Sequence, residues 1–431
     1  LILRSSNIRT KLMLFIMGIL MIVISSVSAQ EAVVVKWWHI NTNEAEGAFW
    51  QTIADEFMAA NPGVTIEITV LENEAFKSRL FTVMQSGEAP DLFQSWGGGV
   101  LWEFAEAGLL RDIAPELDAN DGEWRNSFSA QAALNLYELD GASYGVPWTW
   151  GAVGMFYNKA LFEQAGLDPE VTPTTWEEFV ATIETLKAAG ITPISLGGKD
   201  KWPGHFWWVY AAIRMGGQEA FLNAYNRTGS FADEPFVKAG EFVKSLVDMG
   251  AFPENFMALT YNDQFTLTAN GGAAMELMGQ WSPGNYNNVV EGGLGDDLGW
   301  FPFPMLPDGL GNPGDVLGGG DGYAVGANAP DAAIDFLKYL TSADVQRRAA
   351  EVWVIPTVGE AEDVVTDNPV FASIIKARNE APYFQLYYDQ FLPPALGGEV
   401  NDAVEALLAG LATPEETAAR IEDMAVFELE D

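Results

Sequence analysis

The chemistry this sequence repeats is tryptophan beside polar groups. The stretch "GGKDKWPGHFWWVY" (197–210) places Trp202, Trp207 and Trp208 within seven residues, next to Asp200, Lys201 and His205. "WWHINTNE" sets Trp37 and Trp38 before His39, Asn41, Asn43 and Glu44, and "QSWGGG" sets Trp96 before Gly97, Gly98 and Gly99. "VPWTWG", "MGQWSPG" and "AEVWVIP" add Trp148, Trp150, Trp281 and Trp353. Each tryptophan lies close to Gly or Pro, or at an expected element end, positions typical of binding surfaces. A flat indole can lie on the apolar C–H face of a pyranose while Asp, Glu, Asn, Gln, Lys and His bridge the hydroxyls at its edge. The pattern therefore suits a saccharide.

Other uses of the same residues fare worse. A membrane-interface belt needs spanning segments, and no long apolar run occurs after residue 29. A stacking groove for single-stranded nucleic acid must be basic, whereas 60 acids against 22 bases give this chain a formal charge of −38. A neutral or cationic ligand is easier to accept than an anion. No GxSxG elbow, HExxH pair or P-loop occurs, cysteine is absent, and two histidines cannot build a His-rich centre. "GLGNPG" (309–314) matches GxGxxG only in letters, because proline interrupts it and no helix is expected after it. "DANDGEW" resembles a calcium loop out of register, with Gly122 one place early. A carboxylate pair for glycoside hydrolysis stays open, since sixty acids offer many candidates and no way to choose.

The elements that must position these residues are readable in outline. "AVVVKWWH" reads as a buried strand, and alternation sends Trp37 and Trp38 to opposite faces, one of them into a core. Phe49, Ile53 and Phe57 mark a helix, "VTIEITVL" a strand, Phe76, Leu80, Val83 and Met84 a helix, "DLFQSW" a strand and 101–107 a helix. Such alternation argues for a parallel sheet covered by helices, with Trp38 and Trp96 at strand ends where ligands bind and the three glycines admitting a ligand to the backbone. A second α/β unit opens near residue 145, with a helix over 175–189 marked by the Thr175/Glu178 capping box and ended by Gly190. Trp202, ahead of Pro203 and Gly204, is expected in a turn, with Phe206, Trp207, Tyr210 and Ile213 following on the buried side of a helix. The Gly-, Pro- and Asn-rich span 279–322 predicts no helix; helices return at 331–340, 343–351 and 399–409, and a last one starts at Thr413.

Arg4, Arg9 and Lys11, the apolar run 12–24 and the small residues ending at Ala29 have the layout of a secretory signal peptide over 1–29. An exported protein, periplasmic or extracellular and without a lipid-anchoring cysteine, is expected.

The ordered set "FMAANPGVTIEI", "GEAPDLFQSWGGG", "YGVPWTWGAVGMFYNKALFEQAGL", "PTTWEEF", "GGAAMELMGQW", "GGGDGYAV" and "AIDFLKYLTSADVQRRAA" closely resembles the extracellular solute-binding proteins of bacterial ABC sugar importers, the group similar to maltose-binding protein, from about 33 to 425. This resemblance implies an α/β fold of two lobes, the type II periplasmic-binding-protein fold, each lobe a mainly parallel sheet flanked by helices, joined by three hinge crossings. Mapped onto this chain, the crossings fall near 150–153, 271–274 and 321–325. Residues 32–150 plus 273–322 then form lobe one, and 151–272 plus 323–431 form lobe two. The resemblance further implies a non-catalytic monomer that binds a sugar between the lobes, needs no cofactor or metal, and hands its ligand to a membrane permease; an exported glycoside hydrolase and a lectin are the alternatives. The ligand contacts it implies are Trp38, Asn43, Glu44, Trp96, Trp148, Trp202, His205, Trp281 and Asp321, with Asp389 a weaker choice.

Overall fold

The computed structural model describes residues 33–351 and 354–429. The expected export segment at 1–29 and Trp353 lie outside them. Along the chain run β1 (Val33–His39), α1 (Glu44–Ala60), β2 (Val64–Val70), α2 (Asn73–Ser86), β3 (Leu92–Ser95), α3 (Gly99–Glu106), β4 (Gly145–Pro147), β5 (Gly151–Ala152), β6 (Gly154–Asn158), α4 (Lys159–Ala165) and α5 (Trp176–Ala188). There follow α6 (Trp202–Tyr225), α7 (Glu234–Asp248), α8 (Tyr261–Ala269), β7 (Met275–Met278), α9 (Ser282–Val289), β8 (Leu298–Phe301), β9 (Val316–Gly319) and β10 (Gly322–Val325). The chain closes with α10 (Asp331–Leu340), α11 (Ala343–Ala350), α12 (Pro369–Glu380), β11 (Phe384–Leu386), α13 (Pro394–Leu408) and α14 (Pro414–Leu429).

Strand pairing divides these elements into two lobes. One sheet has the order β2-β1-β3-β10-β4, parallel across β2-β1-β3 and antiparallel at β10 and β4. The other lobe holds the antiparallel sheet β8-β6-β7 and the small sheet β11-β9-β5, in which only β9 and β11 are parallel. The two-lobe α/β fold thus stands, but the sheets are less parallel than expected: the β8-β6-β7 sheet is antiparallel throughout, and the other two are mixed, because β4–β5 and β9–β10 are chain crossings that run back along each other between the lobes.

The expected lobe boundaries do not match this pairing. β7 pairs with β6 and bridges Ile194, and Ala274 N–H donates to Thr192, so 271–274 lies inside lobe two and is no crossing. The crossings run through 148–151 and 320–321, close to two of those expected, and the third follows Val358, which still bridges Phe128 of lobe one. Pairing and packing therefore give 33–147 and 322–358 to lobe one, and 151–319 and 369–429 to lobe two.

Local signals account for most elements. In α5 the Thr175 hydroxyl accepts from Glu178 N–H while the Glu178 carboxylate accepts from Thr175 N–H, two orphan donors satisfied at once, a stabilisation of about 1 kcal/mol. α9 starts inside the Pro/Gly/Asn-rich span, where no helix was expected, and α6 begins at Trp202 itself, which was expected in the turn before it, because Pro283 and Pro203 sit in the first turn, where a missing N–H costs nothing. In lobe one the strand alternation puts Val35 and Trp37 in the core beneath α1 and α10, and Trp38 in the core beneath α2.

Candidate functional site

A cavity of about 390 Å³ opens between the lobes. Lobe one contributes Asn41 and Asn43 from the loop after β1, Glu46 from the first turn of α1, Lys77 from α2, and Gln94 and Trp96 around the end of β3. The crossings supply Trp148, Thr149 and Asp321. Lobe two supplies Trp202 and Phe206 from α6, Tyr261 from α8, Gln280 and Trp281 after β7, Asn285 and Asn288 from α9, and Tyr387 and Asp389 after β11.

The lobe-two wall is aromatic and tied together. Trp202 and Phe206, four residues apart, share one face of α6. Trp202 meets Tyr261 at 4.7 Å and Trp281 at 6.4 Å between ring centroids, and Phe206 stacks on Tyr387 at 5.0 Å. Trp281 Nε1–H and Asn285 Nδ2–H both donate to the Tyr261 hydroxyl, at 2.7 and 2.8 Å, which fixes the Trp281 plane. Each ring therefore reaches the cavity already oriented, so little freedom remains to be lost when a ligand arrives.

The lobe-one wall is polar. Asn41 donates to Glu46 at 2.7 Å and accepts from Trp50 Nε1–H at 3.1 Å, while the Asn43 side chain caps α1 by accepting from Glu46 N–H. Across the cleft Asn288 Nδ2 lies 3.4 Å from Glu46, and Lys77 Nζ lies 3.5 Å from Asp389 and 3.1 Å from Glu74, above the Trp96 ring. Burial raises the Glu46 carboxyl, against the carboxamide donors of Asn41, Asn43 and Asn288. Burial, reinforced by the charge of Glu46, raises Asp321 to about 7. Burial pushes the Asp389 carboxyl upward, but Lys77, His205 and the donors of Gln390 and Asn401 together hold it below its ordinary value.

Of the residues expected at the site, Asn43, Trp96, Trp148, Trp202, Trp281, Asp321 and Asp389 line this one cavity. Three do not. Trp38 is buried in the lobe-one core with Arg79 over its ring, because both faces of this sheet are covered by helices and neither Trp37 nor Trp38 is left facing a ligand. Glu44 is exposed at the start of α1, and Glu46, two residues further on, takes the place at the cavity. His205 is fully buried on the inner side of α6, its Nδ1–H donating to the Trp202 carbonyl and its Nε2 3.7 Å from Asp389; burial lowers its pKa. The glycine triplet also differs from expectation. A Cβ on Gly98 would meet Gln390 O at 2.7 Å and one on Gly99 would meet Leu392 O at 2.5 Å, so at these positions the close approach is made by lobe-two backbone, not by a ligand.

Glu46, Lys77, Gln94, Tyr261, Gln280 and Tyr387 were missed. Tyr261 follows the Thr260/Asp263 capping box, a local signal that locates a helix start but not its facing. Lys77 lies on an ordinary polar helix face, and only the apposition of the second lobe gives it a role.

Two mixed α/β lobes, joined by paired crossings and meeting over an aromatic and carboxamide-lined cleft, define a two-lobe binding protein. Residues 41–347 match the bacterial extracellular solute-binding protein family, and the chain belongs to it. It is 25% identical over 340 residues to the multiple sugar-binding protein of Streptococcus mutans, with 76% of each chain covered. Among solved structures it is similar to one from Caldanaerobius polysaccharolyticus described in connection with xylan utilization (27% identity, TM-score 0.81, 91% of this chain and 100% of that one). It also resembles a chitin oligosaccharide binding protein (24% identity, TM-score 0.85, 93% and 100% covered). Among the described residues no helix is long and apolar enough to cross a membrane, and no three His, Cys, Asp or Glu side chains are grouped to hold a metal ion.

Proposed function

We propose that this protein captures a sugar, an oligosaccharide in preference to a monosaccharide, between its lobes and presents it to the membrane permease of an ABC importer. It works outside the cytoplasm, as a monomer and without turnover. The observation that carries this reading is the pairing of walls: five lobe-two rings (Trp202, Phe206, Tyr261, Trp281 and Tyr387) face a lobe-one surface of Asn41, Asn43, Glu46 and Gln94. Rings stack on the faces of successive sugar units while the opposite wall hydrogen-bonds their hydroxyls, so a ligand touching both lobes favours the closed form. The sugar-binding relative points to the same ligand class.

A thermal-shift panel of mono-, di- and trisaccharides tests it. A ligand at a hundred times its Kd adds about 2.7 kcal/mol to the native state, several degrees of melting temperature. No shift with any saccharide refutes the proposal. A glycoside hydrolase is favoured by one observation, that Glu46 and Asp321 are two carboxyls in one cavity. Steady release of reducing ends on long incubation would establish that reading and overturn capture without turnover.

A further inference from the structure

The lobe-two segment 387–392 both walls the cavity and bears on lobe one. Tyr387, Asp389 and Gln390 line the cavity, while the backbone of 390–392 rests on the start of α3. A Cβ on Gly98 would meet Gln390 O at 2.7 Å and Leu386 Cδ2 at 2.9 Å; one on Gly99 would meet Leu392 O at 2.5 Å and Phe391 O at 2.6 Å. All of these atoms belong to lobe two. Further along α3, the Trp102 ring meets Phe391 edge to face at 5.7 Å between centroids. Gly98, Gly99, Trp102 and Phe391 lie outside the cavity lining, so protein alone makes this contact.

The segment is firmly built into lobe two. Tyr388 and Leu392 are buried, Tyr387 stacks on Phe206 at 5.0 Å, and Phe391 packs on Phe221 and Tyr225 at 5.6 and 5.5 Å. Those three partners all belong to α6, which also carries Trp202, so the aromatic cavity wall and the surface that bears on α3 move as one body. The contact is flanked by lining residues of both lobes, Lys77 and Trp96 on one side and Asp389 and Gln390 on the other, with Lys77 Nζ 3.5 Å from Asp389. It therefore lies on the cavity side of the crossings, where opening the cleft parts it and closing restores it.

We infer that Gly98 and Gly99 form the seat on which segment 387–392 closes, and that Gly99 sets saccharide affinity without touching the saccharide. The inference rests on the capture role proposed above. Packing at the seat favours the closed form alone, so the ligand itself has less to supply; overfilling the seat depopulates that form and weakens apparent binding in proportion. Gly99 is thus a positioning residue, and its own lobe does not require a glycine there. It opens α3 with φ outside the left-handed region, where alanine is the better helix former. Gly97 is the contrast, with φ +70° and a Cβ that would meet Leu136 Cβ at 2.8 Å inside lobe one.

The test sets G99A and G97A against the parent protein, with the trimers of xylose, N-acetylglucosamine and α-1,4-linked glucose as probes. Ligand-free G99A should melt within about 1 °C of the parent or above it, whereas G97A should melt lower. In calorimetry G99A should bind its best trimer about tenfold or more weakly, because the closed form is overpacked. Stopped-flow tryptophan fluorescence should assign most of that loss to faster release, and scattering at saturating trimer should find G99A wider than the parent. W102A thins the same contact instead of overfilling it; it should weaken binding in the same direction, and it carries the test if G99A does not fold. Binding by G99A within about twofold of the parent, or full compaction with ligand, overturns the inference while leaving the capture role standing. Ligand-free G99A melting as low as G97A also overturns it, since the alanine would then damage lobe one itself. If no trimer binds the parent, the capture role fails and the inference with it.

Discussion

Substituting Gly320 by alanine attacks the point where the two lobes are joined. Gly320 lies between β9 and β10, and a Cβ built there would sit 1.8 Å from the Thr149 carbonyl oxygen, a backbone atom of the neighbouring crossing. Carbon and oxygen need about 3 Å or more, so the crossings would have to part by over 1 Å. Parting strains the hydrogen bonds by which Trp148 N–H and Thr149 N–H donate to Asp321 O, now 2.7 and 3.0 Å, each contributing about 1 kcal/mol. With about 1–3 kcal/mol for the overpacking itself, G320A should cost roughly 3–5 kcal/mol, lowering the melting temperature by about 4–6 °C. A matched control exists. Gly398 is exposed inside α13 and a Cβ there meets nothing within 4 Å, so G398A should gain about 0.5–1 kcal/mol from helix propensity. Differential scanning fluorimetry measures both, and small-angle scattering of each variant with its best ligand reports closure. G320A melting within about 1 °C of the parent and closing normally would refute the reasoning.

Three further outcomes are expected. Because Trp281 is held against Tyr261 and faces the cavity, W281A should weaken saccharide binding at least about tenfold by calorimetry while W281F keeps most of the affinity; equal binding by W281A would remove the ring from the site. Asp321 is raised from 3.8 to about 7, so between those values the folded chain holds the extra proton and its contribution to stability falls as pH rises. The melting temperature should therefore drop between pH 5 and pH 8 and drop less in D321N; an identical pH profile would contradict this. For Lys77 and Asp389, 3.5 Å apart with the Lys77 side chain 26% exposed, a K77M/D389N double-mutant cycle in urea should give a coupling of about 0.5–1 kcal/mol, and a coupling near zero would show that the charges do not meet in solution.

Local structure was legible wherever its cause was local. The capping box at Thr175, the apolar face of 331–340 and the proline-started last helix needed only neighbours in sequence, and all three formed as expected. The lobe boundaries were not legible, because β7 and β8 find their partner in β6, more than a hundred residues earlier, and no short-range pattern names a partner. At the site, tryptophan beside Gly or Pro led to Trp96, Trp148, Trp202 and Trp281. Its place at a strand end chose Trp38 wrongly, since alternation shows that two neighbours diverge but not that both directions lead into core. His205 failed for a helical reason. Trp202 and Phe206 share the outward face, and His205 is turned inward onto Asp389.

The late arrival of β10 governs how the molecule can be made. Among the described residues β4 has β10 as its only sheet neighbour, and α10, which covers the Trp37 face, comes later still. A growing chain therefore cannot complete its first lobe until most of the second has been synthesised, and the early strands wait with an open edge and a bare apolar face. A nascent polypeptide arrested near residue 310 will stay protease-sensitive throughout its first half, however stable the finished protein is.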